Sequence, residues 1–355
     1  MDQLRHLGWS DELQAKWEAM GTAGLRPARV MADFGTSLKV AMPDLYTAEL
    51  SGKLAHHSQR VHVPKVGDWV AVQLSDNGHA VIQSVVPRRS ELARKVAGHR
   101  TLKQVIAANL DIAFVLLALD NDFSPARLKR FLYQLSASNI EPVIVLNKAD
   151  KTNDLSRFTE QIKSLGLTTI VSTATSGAGV DIIKQHITPG STAILLGSSG
   201  VGKSTLTNHL LGYDAQKTNT IRDSDSTGKH TTVHRELFIL PNGGLLIDTP
   251  GIRELQLWGT EEELDDNFDD IAGLIRQCKY TTCRHEAEAG CAVRPALEDG
   301  SLSAEHYDSY RKMKAELGNL KERAIVRDRQ KNKKSSRKIL RQSREDIRDM
   351  REAAD

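Results

Sequence analysis

The feature that most constrains this chain is the octapeptide Gly197-Ser198-Ser199-Gly200-Val201-Gly202-Lys203-Ser204, which follows the apolar run 193–196 and opens a helix-forming stretch. Strand, glycine-rich turn and helix in that order make a phosphate cradle. The glycines let backbone N–H groups converge on phosphate oxygens, and the helix start adds positive dipole. Lys203 would reach the outer phosphates, and Ser204 would offer a hydroxyl to Mg²⁺. Such a loop needs an α/β sheet to present it. Apolar runs at 112–119, 142–146, 169–171, 192–196 and 245–247 alternate with helical patterns at 127–138, 181–185 and 203–211. That alternation predicts a parallel sheet buried on both faces by helices.

Two further loops follow predicted strands. Asp248-Thr249-Pro250-Gly251 comes directly after 245–247. Asp248 would hold Mg²⁺ from the side opposite Ser204, and Gly251 would offer an amide to the terminal phosphate. Asn147-Lys148-Ala149-Asp150 comes after 142–146. A carboxylate can accept from both N1–H and the N2 amine of guanine, a donor pair adenine lacks. Asp150 would therefore select a guanine nucleotide, and an ATP-using P-loop kinase is disfavoured. Lys148 would lay its stem along the base, and Asn147 would tie loops together. Ser172-Thr173-Ala174, after 169–171, fits a loop that supports the base through backbone N–H groups.

The order of these loops is inverted. In ordinary small GTPases the phosphate loop comes first and Asn-Lys-x-Asp late; here the base-reading loops at 147 and 172 precede the phosphate loop at 197, and Asp248 comes last. The same sheet can form if the chain is cut and rejoined just beyond Gly251. The γ-phosphate switch then leads straight into the C-terminal segment, a wiring that would pass a nucleotide-dependent change to it.

The flanks differ in kind. Residues 10–20 read as a short amphipathic helix with Ser10 as N-cap. Short β-type runs follow at 28–34, 37–42, 46–50, 69–74 and 80–86, parted by turn pairs such as Pro43-Asp44 and Asn77-Gly78. They predict a small barrel such as an OB-fold, with a generic β-domain as the alternative. Pro87-Arg88-Arg89-Ser90 reads as its exit linker.

Toward the other end, Cys278-x4-Cys283-x-His285-x5-Cys291 uses all three cysteines of the chain. Three thiolates and an imidazole make a closed, structural Zn²⁺ site with no position left for a catalytic water. The alternative is three unrelated buried cysteines and a surface histidine. Beyond residue 320, Lys and Arg crowd 321–344, opposed only by Glu322 and Asp328 and without aromatics. Such a run suits sequence-independent contact with RNA phosphates, the alternative being a solvated charged tail.

Net charge is only +3, so whole-molecule charge singles out no partner. No run approaches the roughly 18 apolar residues of a membrane span, and the odd, small cysteine count fits a reducing compartment. The N-terminus, with Asp2, Asp11, Glu12 and Glu18, does not read as a signal peptide. A cytoplasmic monomer without membrane association is expected.

Taken together, the chain resembles the ribosome small-subunit-dependent, circularly permuted GTPases. The resemblance rests on Pro87-Arg88-Arg89-Ser90, Ala107-Ala108-Asn109-Leu110-Asp111, Asn147-Lys148-Ala149-Asp150, the phosphate loop through Thr205, Gly228-Lys229-His230-Thr231-Thr232, Asp248-Thr249-Pro250-Gly251 and the Cys/Cys/His/Cys pattern. It implies a multidomain α/β protein: a helical extension at 1–24, an OB-fold at 25–92, a permuted GTPase domain at 93–257, a helical zinc-binding domain at 258–320 and a basic tail at 321–355. It further implies GTP hydrolysis to GDP, stimulated by the small ribosomal subunit, and a role in late maturation of that subunit with 16S rRNA as a partner. An RNA-clamping assembly factor with incidental turnover is the alternative. The resemblance places a switch at 228–232, where Thr231 or Thr232 would complete the Mg²⁺ shell. Ile252 occupies the position where many GTPases carry a water-orienting Gln. His230 is the nearest residue by motif to take that role, against the alternative of a merely exposed side chain. Lys229, Val233 and Thr173 depart from the usual family residues.

Overall fold

The computed structural model describes residues 2–35, 37–57, 63–75, 78–95, 103–120, 122–163, 165–214, 235–248 and 260–318. The chain forms two compact units, the first spanning Met1–Arg94 and Lys103–Trp258, the second built mainly from Gly259 onward.

In the first unit, helix α1 (Asp11–Ala19) is capped by Ser10, whose hydroxyl accepts from the Leu13 N–H, with Asp11 and Glu12 favourably placed in its first turn. Strands β1 (Arg26–Asp33), β2 (Leu38–Ala41), β3 (Leu45–Leu50), β4 (Trp69–Leu74) and β5 (Ala80–Val85) follow. Helix α2 (Gly52–His57), which no sequence pattern announces, sits between β3 and β4. The strands' pairing order β1-β2-β3-β5-β4 closes through β1–β4, giving a five-stranded OB-like barrel. Closure removes exposed sheet edges, and Val30, Val40, Val70, Val72 and Ile82 fill the interior with no exposed surface. Trp9 packs edge-on against Trp69 at 4.7 Å and Trp17 at 6.1 Å, so α1 and its leading segment are fastened by aromatic contact.

After the barrel, β6 (Glu91–Lys95) and β7 (Lys103–Ala108) form a separate two-stranded sheet. The α/β part then runs β8 (Ile112–Ala118), α3 (Pro125–Ser136), β9 (Glu141–Asn147), α4 (Leu155–Lys163), β10 (Thr169–Val171), α5 (Val180–His186), β11 (Thr192–Leu196), α6 (Lys203–Leu211), β12 (Arg235–Ile239) and β13 (Leu245–Asp248). Every residue of β8 and β11 is buried, as their unbroken apolar sequences require. The order β10-β9-β8-β11-β13-β12 puts the phosphate-loop strand near the centre. The predicted strands β8, β9, β10, β11 and β13 pair in parallel, as the alternation requires; β12, which the sequence pattern does not single out, runs antiparallel to β13. A short turn at 240–244 returns the chain at once, which a parallel crossover could not do. The outer edge of β12 pairs with β1 through Ala32↔Glu236 and Asp33↔Arg235, so the two sheets merge into eleven continuous strands.

A buried polar joint fastens barrel to α/β sheet. Arg29, fully buried on β1, donates to the carbonyls of Leu7, Gly67 and Asn109 and to the Thr192 hydroxyl, and stacks over Trp69. Desolvation lowers its pKa to about 10, leaving it charged at neutral pH. Asn109, left-handed at φ 54, bridges the Arg89 N–H and the Gly67 carbonyl, each at 3.0 Å. Asp111 accepts from the Thr192 N–H at 2.7 Å and pairs with Arg89 at 2.9 Å. The segment read as an exit linker is therefore tied down, and Arg88 adds a fork to the buried Asp68 with both contacts at 2.8 Å.

In the second unit, Thr260 and Glu263 form a reciprocal capping box for the helix Glu261–Asn267. Helices Asp269–Arg276 and Val293–Glu298 and a helix at 304–318 complete it. The Tyr310 hydroxyl donates to Asp265 at 2.7 Å and accepts from Lys314 at 2.6 Å, locking the last helix to the first. Among the described residues no helix is long and apolar enough to cross a membrane.

Candidate nucleotide and zinc sites

The phosphate loop lies between β11 and α6, and two of its glycines are sterically required. At Gly197 (φ 148) a Cβ would stand 2.7 Å from the Leu116 carbonyl oxygen; at Gly202 (φ 107) it would stand 2.3 Å from Asn147 Nδ2. The Lys203 ammonium donates to the carbonyls of Gly197 at 2.8 Å and Ser198 at 2.6 Å, folding back across the loop. Burial lowers its pKa, opposed by the nearby Asp248 carboxylate at the end of β13. Ser199, Gly200, Ser204 and Thr205 are exposed, and Val201 is buried as the loop's apolar anchor.

Asn147 joins this loop to the base-reading loops. Its Nδ2 donates to the Val201 carbonyl at 2.7 Å, while Oδ1 accepts from the Ser172 hydroxyl and the Ala174 N–H, both at 3.0 Å. The Ala149 N–H donates to the Ser172 carbonyl at 3.2 Å. One buried amide thus commits both its donor and its acceptor ends to holding three loops in register. Lys148 adopts a left-handed conformation (φ 62), and its ammonium pairs with Asp120 at 2.8 Å. Asp150 is exposed, with Lys151 at 3.7 Å beside it, so its carboxylate is open to a ligand edge. Asp120 and Asp122 escape the sequence motifs. Their placement just past the apolar run 112–119, in the position of the other loops, is the one signal that could have found them.

His230, Thr231, Thr232 and Gly251 lie outside the described residues, as do Ile252 and the basic run 321–355.

The second constellation is Cys278, Cys283, His285 and Cys291, whose ligand atoms all lie within 4.8 Å of one another. The Sγ atoms of Cys278 and Cys291 stand 3.5 and 3.6 Å from His285 Nδ1. A tetrahedron with Zn–S about 2.3 Å and Zn–N about 2.0 Å has an S···N edge of about 3.5 Å, so the four residues fit that ion. His285 reaches the cluster through a left-handed backbone (φ 63). The Glu288 carboxylate supports that turn by accepting from the N–H groups of Arg284, Glu286 and Ala287 at 2.8, 3.0 and 3.2 Å. These bonds hold its pKa at about 2, Arg284 contributing most. The Ala292 N–H points at Cys278 Sγ at 3.4 Å, a second outer contact that favours a thiolate.

A central phosphate loop, a base-reading loop on its neighbour but one and an inverted order of both along the chain define a circularly permuted P-loop GTPase. The RsgA GTPase family model matches residues 85–258. A "Small ribosomal subunit biogenesis GTPase RsgA" of Syntrophotalea carbinolica is 38% identical over 325 residues, covering 88% of this chain and 89% of the relative. One of the same name from Opitutus terrae is 39% identical over 327 residues, with the same coverage of 88% and 89%. The crystal structure of YjeQ from Thermotoga maritima superposes with a TM-score of 0.60 at 25% identity, covering 82% of this chain and 98% of that one. YloQ, described as a circularly permuted GTPase, has a similar fold, with a TM-score of 0.58 at 24% identity over 85% of this chain and 97% of that one. The chain belongs to the RsgA GTPase family and is a GTP-hydrolysing enzyme.

Proposed function

We propose that this protein binds GTP at the loops Asn147-Lys148-Ala149-Asp150, Ser172 and 197–205, hydrolyses it on the small ribosomal subunit, and acts in late maturation of that particle, with 16S rRNA as its contact. The observation that carries the nucleotide site is the Asn147 bridge, which brings a carboxylate suited to guanine and a phosphate loop into one register. Asp150 accepts the two donors of the guanine edge. Lys203 leaves the two carbonyls it now touches and moves to phosphate oxygens, gaining stronger, charge-assisted bonds. Ser204 and Asp248, with Thr231 or Thr232, would hold the Mg²⁺ that accompanies the triphosphate, and the ion would supply charge stabilisation to the phosphates. Ile252 is unable to orient water, so His230 or a group of the ribosome does so. Cys278, Cys283, His285 and Cys291 would hold one structural Zn²⁺, which would cross-link the segment 278–291 in a unit whose buried apolar side chains include Leu264, Phe268, Ile271, Val293 and Met313.

The ribosomal assignment draws on the names of the relatives, each a small ribosomal subunit biogenesis GTPase. The OB-like barrel and the basic run 321–344 supply two surfaces suited to RNA. The test is multiple-turnover GTP hydrolysis by the purified full chain, titrated with small subunits and, as control, large subunits. Stimulation by small subunits alone is expected. Equal rates with either particle, or with none, would discard the ribosome-dependent enzyme in favour of an RNA clamp.

A further inference from the structure

Two carboxylates stand between the base-reading loop and the phosphate loop. Strand β8 is hydrogen-bonded to β9 on one side and β11 on the other, so the residues after β8 emerge between the loops that follow those strands. Asp120 Oδ2 accepts from Lys148 Nζ at 2.8 Å, and its Oδ1 accepts from the Asp122 N–H at 2.9 Å. Asp122 Oδ2 accepts from the Ser198 hydroxyl of the phosphate loop and from Arg127 Nη1, the latter at 2.9 Å.

We propose that Asp120 is a positioning residue for guanine recognition: it holds the Lys148 ammonium so that the lysine stem is laid out for the base before nucleotide arrives. This rests on the reading of Asn147-Lys148-Ala149-Asp150 as the guanine loop. The left-handed backbone of Lys148 fixes the direction in which its side chain departs, and Asp120 fixes the far end. A lysine stem free in solution loses rotamer freedom on packing against a ligand; one already held at both ends has lost it beforehand, and binding tightens accordingly. The loop does not need this ion pair for its own shape. Ser124 caps α3 by accepting from the Arg127 N–H, and Asp122 pairs with Arg127. The Lys148 bond is also the leading cause that holds the Asp120 carboxyl below its ordinary range.

The experiment is fluorescence titration of the full chain with mant-GDP and mant-GTP in a double-mutant cycle of Asp120→Asn and Lys148→Met. Asn preserves the acceptor for the Asp122 N–H and removes the charge. A half-exposed ion pair of this kind predicts roughly fivefold weaker binding for Asp120→Asn. The loss is the same for both nucleotides, because Lys148 serves the base and not the phosphates. In the Lys148→Met background the second change costs less than about twofold, within ordinary additivity error. Asp120→Glu, which keeps the charge, retains most of the affinity. An equal loss in both backgrounds, a heavier loss for GTP, or a Glu variant as weak as the Asn variant overturns the proposal. If Lys148→Met binds guanine nucleotides as tightly as the unmodified chain, the guanine-loop reading itself fails.

Discussion

Asn147 and Gly202 are mutually dependent: the amide nitrogen of one occupies the space where a side chain on the other would begin, at 2.3 Å from an ideal Cβ. The glycine of the phosphate loop is needed for the loop's own left-handed turn and also for the approach of the base-reading loop. The two halves of the proposed nucleotide site, 54 residues apart in sequence at the Asn147–Val201 bond, are brought together by that approach.

Removing the amide tests this assembly. Asn147→Ala deletes the bonds to Val201, Ser172 and Ala174. At about 1 kcal/mol each it lowers unfolding free energy by about 3 kcal/mol. Urea denaturation measures the change. A variant within about 0.5 kcal/mol of the parent, the limit of an ordinary surface substitution, contradicts the structural role.

The guanine edge is tested by charge. Asp150→Asn turns an acceptor pair into an acceptor and a donor, which suits xanthine. Guanine-nucleotide affinity falls by at least about 100-fold, while xanthine-nucleotide affinity rises. Competition titrations of GDP against XDP decide it. Retained preference for guanine removes Asp150 from base recognition.

Arg29 carries the barrel joint. Arg29→Met leaves the carbonyls of Leu7, Gly67 and Asn109 and the Thr192 hydroxyl short of a donor in a dry interior. The expected cost is roughly 3–5 kcal/mol, read as a fall in thermal midpoint. Preserved stability would mean that the four acceptors find other donors.

Zinc retention should depend on a residue that does not bind it. Glu288→Ala removes three N–H···O bonds that hold the His285 turn, and zinc affinity measured by chelator competition drops by roughly 10- to 100-fold. Chelating the metal from the parent protein should loosen the second unit, seen as proteolytic cleavage after residue 260. A chain purified with no zinc, or a Glu288→Ala variant of undiminished affinity, counts against this centre.

For the basic run, truncation after Leu320 should make small-subunit binding less salt-dependent. The log–log slope falls by roughly 0.7 to 0.9 for each phosphate that the tail no longer neutralises. An unchanged slope assigns RNA binding to another surface.

Strand-forming runs are the most legible part of the chain. β10, β11 and α6 lie where the sequence places them, because continuous apolar runs and the glycine loop leave few alternatives. β12 escapes notice: its RELFI sequence has neither a continuous apolar run nor a clean alternation to announce it, and its antiparallel direction follows from a turn. The ligand set at 278–291 is readable from cysteine spacing alone, and the geometry brings all four residues together. The support around these sites is not readable. Arg29 is one arginine among many until β1 carries it inside, and Asp120 has meaning only once β8 lies between β9 and β11.

The pairing of Arg235 and Glu236 with β1 has a practical corollary. Excising the first 92 residues would not liberate a self-sufficient catalytic core. It would strip the cover from one side of β12 and leave a raw ladder of backbone donors and acceptors, which other chains are apt to seize. The barrel is, in this sense, the selvedge of the enzyme's sheet, and any shortened version has to supply a new hem.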